Sequence, residues 1–270
     1  MTESANERPV LRYVEVHAAD HCNLNCKACS HFSPLFPGGV FPNSSRIKKD
    51  FIQLRRLFSS IMTIRVLGGE PLLNPDLPLL LVFIRELFPE SRIAVVSNGI
   101  LLKKTAELLT QCMRDNHIQM HVTHYPVEPE LRQTIREGIR LFREQQVEVI
   151  ESPLMDRFRL FLTEYPVKED SFLRCNVRGC NLVRNGRIYS CAMSAMISQY
   201  NKVFEKSFPE NDGICLEAAE AGCDVLQALN QKCGLCAYCY DSDRLVRWER
   251  TGNYRAEDWL MERNEGNYGG

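Results

Sequence analysis

Cys22, Cys26 and Cys29 form a Cys-x3-Cys-x2-Cys run inside Asp-His-Cys-Asn-Leu-Asn-Cys-Lys-Ala-Cys-Ser. Three thiolates on one short loop can hold three corners of a cubane iron–sulfur cluster. No fourth cysteine lies nearby, so one iron would keep an open coordination position, which points to chemistry and not only to electron storage. Structural zinc asks for four ligands in paired knuckles, which this triplet fits poorly, although His21 or His31 could complete such a site. A disulfide framework would leave one of the three cysteines unpaired.

The chain has 270 residues, 44% hydrophobic and 25% charged, enough for one large domain or a domain with an appendage. Its net charge is −1 with the two signs interleaved, which argues against a nucleic-acid partner, and no apolar run approaches membrane-spanning length. The first nine residues lack the apolar centre of a signal peptide, so the expected location is cytoplasmic, where thiols stay reduced. There, twelve cysteines read first as metal ligands. Three lie at 22–29, Cys112 stands alone on a helix face as a core residue, and eight fall between Cys175 and Cys239. That split predicts two modules with a boundary near 155–172: a core at 10–155, a Cys-rich unit at 172–245 and a tail at 246–270.

Strands are expected at 12–18, 63–67, 92–97, 117–123 and 147–151, with helices at 44–60, 76–87, 103–115 and 129–145 between them. A weak sixth strand candidate covers 158–162. Such alternation makes βαβ units and a parallel sheet, whose chemistry sits at the carboxyl ends of the strands. Two of the strands alternate polar with apolar residues: Glu15 and His17 in the first, Gln119 and His121 in the fourth. Strands covered on both faces read as continuous apolar runs, so a polar face suggests a lumen lined for a ligand, with His121 a candidate contact; an edge strand is the plainer alternative.

Gly68-Gly69-Glu70-Pro71 follows the second strand, and Ser97-Asn98-Gly99 ends the third. Paired glycines let backbone approach a ligand closely, and Glu70 adds a carboxylate beside it. Ser97 and Asn98 could bind polar parts of the same ligand, or simply form a turn.

Together, the cysteine triplet, Gly68-Gly69-Glu70 and Ser97-Asn98-Gly99, in that order at successive strand ends, resemble the radical SAM superfamily. The resemblance implies an α/β fold with a partial (β/α)6-type, open parallel barrel. It implies a 4Fe–4S cluster on Cys22, Cys26 and Cys29 whose open iron chelates the amino and carboxylate groups of S-adenosylmethionine. Gly68, Gly69 and Glu70 then look like the methionine-amino contact, and reductive cleavage gives a 5′-deoxyadenosyl radical that removes a hydrogen atom from the substrate. Many members carry an aromatic residue just before the third cysteine; here Ala28 stands there, leaving His31 or Phe32 to meet the adenine.

Beyond residue 172 the sequence predicts a small Cys-rich C-terminal cap containing a β-hairpin. Leu182-Val183-Arg184, Asn185-Gly186 and Arg187-Ile188-Tyr189 give a strong two-residue turn signal that sets Cys180 opposite Cys191. Cys175 precedes them, and Cys233, Cys236 and Cys239 follow later. The arrangement resembles the twitch and SPASM extensions of radical SAM enzymes, with Gly186-x4-Cys191 matching their pattern. That implies a second 4Fe–4S cluster on four of Cys175, Cys180, Cys191, Cys233, Cys236 and Cys239, and structural zinc suits the same thiols. Cys215 and Cys223 match no cluster pattern. They are either small buried hydrophobes or thiols that return a hydrogen atom to a substrate radical.

The expected reaction is oxidation or epimerisation of a carbohydrate-like small molecule, with flavodoxin or ferredoxin as reductant. A peptide-modifying maturase and a non-catalytic iron–sulfur or zinc protein are the alternatives.

Overall fold

The computed structural model describes residues 8–167, 172–210, 212–240 and 245–261. The alternating pattern folds as expected into β1 (Val10–Ala19), α1 (Ser44–Leu57), β2 (Ser60–Gly68), α2 (Leu77–Leu87), β3 (Arg92–Ser97), α3 (Leu102–Asp115), β4 (Ile118–His124), α4 (Pro129–Glu144) and β5 (Val149–Leu154). Local chemistry sets the helix starts. The Asn43 side chain accepts a hydrogen bond from Arg46 N at 2.9 Å ahead of α1, and α4 begins at Pro129 with Glu130 in its first turn. Ile47, Phe51 and Leu54 then fall on one stripe of α1 and are buried.

The five strands pair in parallel in the order β5-β4-β3-β2-β1. Val14, Val16, Ile64, Val66, Ile93, Val95, Met120 and Val122 join the helices in one core. Period two turns Glu15, His17, Arg65 and His121 to the opposite face of the sheet.

The rest of the chain forms β6 (Arg157–Arg159), β7 (Leu182–Arg184), β8 (Arg187–Tyr189), α5 (Ala192–Phe204), β9 (Ile214–Cys215), α6 (Gly222–Leu229) and β10 (Leu245–Arg247). The Asn185-Gly186 hairpin forms with φ of 49° and 82°, the pair of positive values that a two-residue turn between twisted strands needs. It is not confined to a separate cap. β7 pairs in parallel with β1, so the sheet runs on through β7, β8 and β9 to eight strands and stays open at both edges. The hairpin's two faces serve different cores: Val183 and Ile188 join the barrel core, while Leu182 and Tyr189 join a second core built on α5. The expected boundary near 155–172 is therefore crossed by a shared sheet. The candidate sixth barrel strand at 158–162 does not enter it either: β6 pairs antiparallel with β10 in a small sheet of its own. The tail expected at 246–270 is described to Met261, and its later residues lie outside the described range. Among the described residues no helix is long and apolar enough to cross a membrane.

Candidate functional site

The loop after β1 folds back on itself through three left-handed residues, Asn25 (φ 53°), Ala28 (φ 60°) and Phe32 (φ 50°). Such backbone is uncommon outside glycine and marks a loop whose path is imposed by its surroundings. Cys22, Cys26 and Cys29 line one cavity of about 330 Å3, together with Gly68, Gly69, Ser97, Asn98 and Thr123 from the ends of β2, β3 and β4. Phe158, Arg159 and Phe161 close its other side. Burial pushes the Cys22 thiol up to about 12 and also raises Cys26, against which the Trp248 hydrogen bond works. Thiols in such a site stay protonated until a cation draws the protons off.

The two glycines act first on the protein itself. A Cβ on Gly68 would lie 2.0 Å from Ala19 O, and one on Gly69 2.0 Å from His21 O. Gly69 N and Glu70 N donate to these same carbonyls at 2.8 and 3.0 Å. The glycines thus hold the cysteine loop against the end of β2 while also lining the cavity. Glu70 corrects the expectation from sequence, because it is fully buried and does not line the cavity. Its Oε1 accepts from Leu72 N and Ser97 Oγ, and its Oε2 from Asn98 N at 2.9 Å. Burial raises its carboxyl to about 7 in spite of those three donors. Glu70 therefore ties the two strand-end turns together beneath the cavity floor. Asn98 in turn donates to Asn23 Oδ1 at 2.8 Å and to Cys22 Sγ at 3.6 Å.

Of the two candidate adenine contacts, only His31 lines the cavity. Phe32 is fully buried in the second core, 5.3 Å from the Tyr200 ring and 6.0 Å from that of Trp259, because its left-handed backbone turns it away. His121 is also absent from the lining; it meets Gln119 at 3.2 Å lower on β4, and Thr123, one pleat further on, reaches the cavity. Sequence reasoning missed the network behind His31. Arg184 makes a bidentate pair with Asp20 at 2.7 and 2.9 Å, Asp20 meets His17 Nδ1 at 2.9 Å, and His17 Nε2 meets His31 Nδ1 at 2.8 Å. Burial works to raise Asp20, but its bonds to His17 and Arg184 outweigh that and hold it at about 2. Burial lowers His17, so the neutral ring donates from Nδ1 to Asp20 and accepts at Nε2 from His31. Only the hairpin's attachment to β1 brings Arg184 to Asp20.

A second cavity, about 40 Å3 and mostly apolar, is lined by Cys175, Cys191, Cys233, Cys236 and Cys239. Cys233 Sγ lies 3.6 Å from Cys236 Sγ, and hydrogen bonds from Cys191 and Cys236 lower Cys233. Cys191 caps α5, its sulfur accepting from Ser194 N at 3.5 Å. Cys180 does not line this cavity. A turn at 177–180, with Gly179 at φ 88°, swings it off the hairpin toward Glu15 and Arg65. Among the described residues no three His, Cys, Asp or Glu side chains converge as the ligand set of a single metal ion.

The hydrogen-donor reading of Cys215 and Cys223 does not hold, since neither lines either cavity: Cys215 sits on edge strand β9 and Cys223 is exposed on α6. Cys112 packs half-buried against the core, as expected. Phe161 lines both cavities and so stands between them.

The supposed tail is built into the site. Residues 249–251 run beside the cysteine loop: Lys27 N donates to Glu249 O at 2.9 Å, Thr251 N to Asn25 O at 3.2 Å, and Cys26 bridges Arg250. Trp248 Nε1 donates to Cys26 Sγ, and Trp259 Nε1 to Cys29 O at 2.8 Å. No local pattern in the sequence could have paired residues so far apart.

An open parallel α/β barrel with three thiols and two glycines at its strand ends defines a class of enzyme, and the chain's relatives agree. Residues 17–152, just over half of the chain, match the radical SAM superfamily, and the chain belongs to it. Among curated proteins it is similar to GTP 3′,8-cyclase of Limosilactobacillus fermentum, 28% identical over 47% of this chain and 37% of the relative. It is also similar to GTP 3′,8-cyclase of Acidothermus cellulolyticus, 33% identical over 37% and 28%. The chain thus spans about a third of the length of these relatives. Among solved structures, Streptococcus suis SuiB matches 56% of this chain and 35% of its own at 17% identity and TM-score 0.41. BtrN in complex with AdoMet and 2-DOIA matches 93% and 98% at 15% identity and TM-score 0.48.

Proposed function

We propose that Cys22, Cys26 and Cys29 hold a 4Fe–4S cluster and that the 330 Å3 cavity receives S-adenosylmethionine and the reacting part of a carbohydrate-like small molecule. The observation that carries this reading is the convergence of all three thiols, Gly68, Gly69, Ser97 and Asn98 on that one cavity. The donor set fits: among the described residues three thiols and no fourth cysteine line the cavity, which leaves one iron free for a chelating cofactor. When bound, the cluster and cofactor together supply a 5′-deoxyadenosyl radical that abstracts a hydrogen atom from the substrate. The chain's own residues hold and orient. Gly68 and Gly69 keep the cysteine loop in place, and Asn98 anchors it through Asn23. His31, held by His17 and Asp20, keeps Nε2 as an acceptor for a hydroxyl or amino group. Ser30, Ser33, Ser97, Asn98 and Thr123 add the hydroxyl and amide lining that suits a polyhydroxylated ligand. The GTP 3′,8-cyclase relatives, whose name states a small-molecule substrate, favour this over a peptide.

Residues 172–245 are read as a twitch-type unit with a second 4Fe–4S cluster, drawn from the five cysteines of the smaller cavity and not from Cys180. A cubane spreads its thiols round a body wider than one ion, which suits cysteines ranged about a cavity better than zinc does. Placed across Phe161, it could take an electron from a substrate radical, giving oxidation. The reductant would be a flavodoxin or ferredoxin. The test is anaerobic reconstitution with iron and sulfide, followed by dithionite and S-adenosylmethionine. About eight irons per chain and release of 5′-deoxyadenosine are expected. A loaded cluster without 5′-deoxyadenosine would leave the non-catalytic alternative standing, and turnover of a peptide but no sugar-like alcohol would favour the maturase.

A further inference from the structure

Trp248 and Cys26 are 222 residues apart in sequence, yet the indole Nε1 lies 3.1 Å from the Cys26 sulfur in a buried contact. Two features fix this geometry. The backbone bonds of Glu249 and Thr251 to the cysteine loop, with Arg250 Nε donating to Leu24 O at 3.2 Å, set the position of the main chain. Tyr125 stacks on the indole with centroids 5.8 Å apart and planes 22° from parallel, which sets the ring. An indole N–H can only donate, and a buried one needs an acceptor, here a sulfur. The three sulfurs are not treated alike. Cys22 accepts from Leu24 N at 3.4 Å and Asn98 Nδ2 at 3.6 Å, both on the walls of the cavity, whereas Cys26 receives its donor from the far end of the chain.

Hydrogen bonds to ligating sulfurs are one of the protein's levers on the potential of an iron–sulfur cluster, because they offset charge that the sulfurs gain on reduction. We propose that Trp248 is a positioning residue for the cluster on Cys22, Cys26 and Cys29, and that its N–H raises that cluster's reduction potential, easing the one-electron reduction by a flavodoxin- or ferredoxin-class donor. The proposal rests on the cluster assignment made above.

The test is Trp248→Phe, which keeps an aromatic ring against Tyr125 and removes the donor. Reconstituted holoenzyme is titrated reductively and followed by electron paramagnetic resonance; the signal that changes on adding S-adenosylmethionine identifies this cluster and separates it from the one in the cap. The expected result is unchanged iron content with the midpoint shifted to more negative potential and a smaller reduced fraction at a fixed poise. Full iron loading with an unshifted midpoint overturns the proposal. If the variant fails to load, pulsed resonance on Trp259→Phe protein carrying 15N-tryptophan, in which Trp248 supplies the one labelled indole, decides. Coupling to an indole nitrogen and a proton lost in D2O supports the contact, and the absence of that coupling refutes it. Wild-type protein with no S-adenosylmethionine-responsive signal would instead sink the cluster assignment itself.

Discussion

Glu70 shows how one side chain can serve a site without touching it. Three donors converge on its carboxylate, two of them from the Ser97-Asn98 turn. Glu70→Gln must turn an NH2 toward at least one of those donors, so it should lower the stability of the metal-free protein by about 1–3 kcal/mol in urea unfolding. The pH dependence follows from the raised carboxyl. The folded state holds the Glu70 proton more tightly than the unfolded chain does, so this group's contribution is complete below about pH 4.5 and is lost as pH rises through about 7. Wild-type stability should therefore fall across that window relative to Glu70→Gln, and parallel profiles would contradict the assignment. Gly69 gives a second residue-level prediction. A methyl group there meets His21 O at 2.0 Å, a rigid backbone atom, so Gly69→Ala should displace the cysteine loop and reduce iron loading at that loop while the cap stays loaded.

At the scale of elements, the hairpin links the two halves of the molecule. Its Asn185-Gly186 turn was legible because only a few residue pairs tolerate two successive positive φ values. Its role was not legible: β7 adds to the barrel sheet beside β1, Gly186 N donates to Asp50 of α1 at 3.1 Å, and Arg184 reaches Asp20. Gly186→Ala keeps φ positive at a cost of about 1–2 kcal/mol and also pushes on Arg46, whose flexible end can yield. Thermal unfolding should show that loss, with the iron content of the folded fraction unchanged. The strands and helices from β1 to β5 were legible almost to their ends, because burial of one helix stripe and one sheet face writes the period directly into the sequence. The sixth strand was misread because residues 158–162 carry the same apolar signal whether they join the barrel or a two-stranded sheet with β10.

At the scale of the molecule, two thiol-lined cavities share Phe161 in their walls. Six cysteines were candidates for the second site, and position in the fold separates them. Cys180→Ala should keep about eight irons per chain, whereas Cys191→Ala should lose about four. Equal loss in both would place Cys180 in the ligand set. The sequence by itself determined the parallel α/β barrel, the cysteine triplet and the strand ends at which Gly68, Gly69, Ser97 and Asn98 sit, because these depend on periodicity and on short loops between neighbours. Only the tertiary structure decided that Glu70 supports the site from below, that His31 and not Phe32 faces the cavity, that Cys180 turns away, and that the last described segment closes over the cysteine loop with Trp248 on Cys26. Those contacts join residues far apart in the chain, and a side chain's facing there is set by what packs behind it, which no local pattern records.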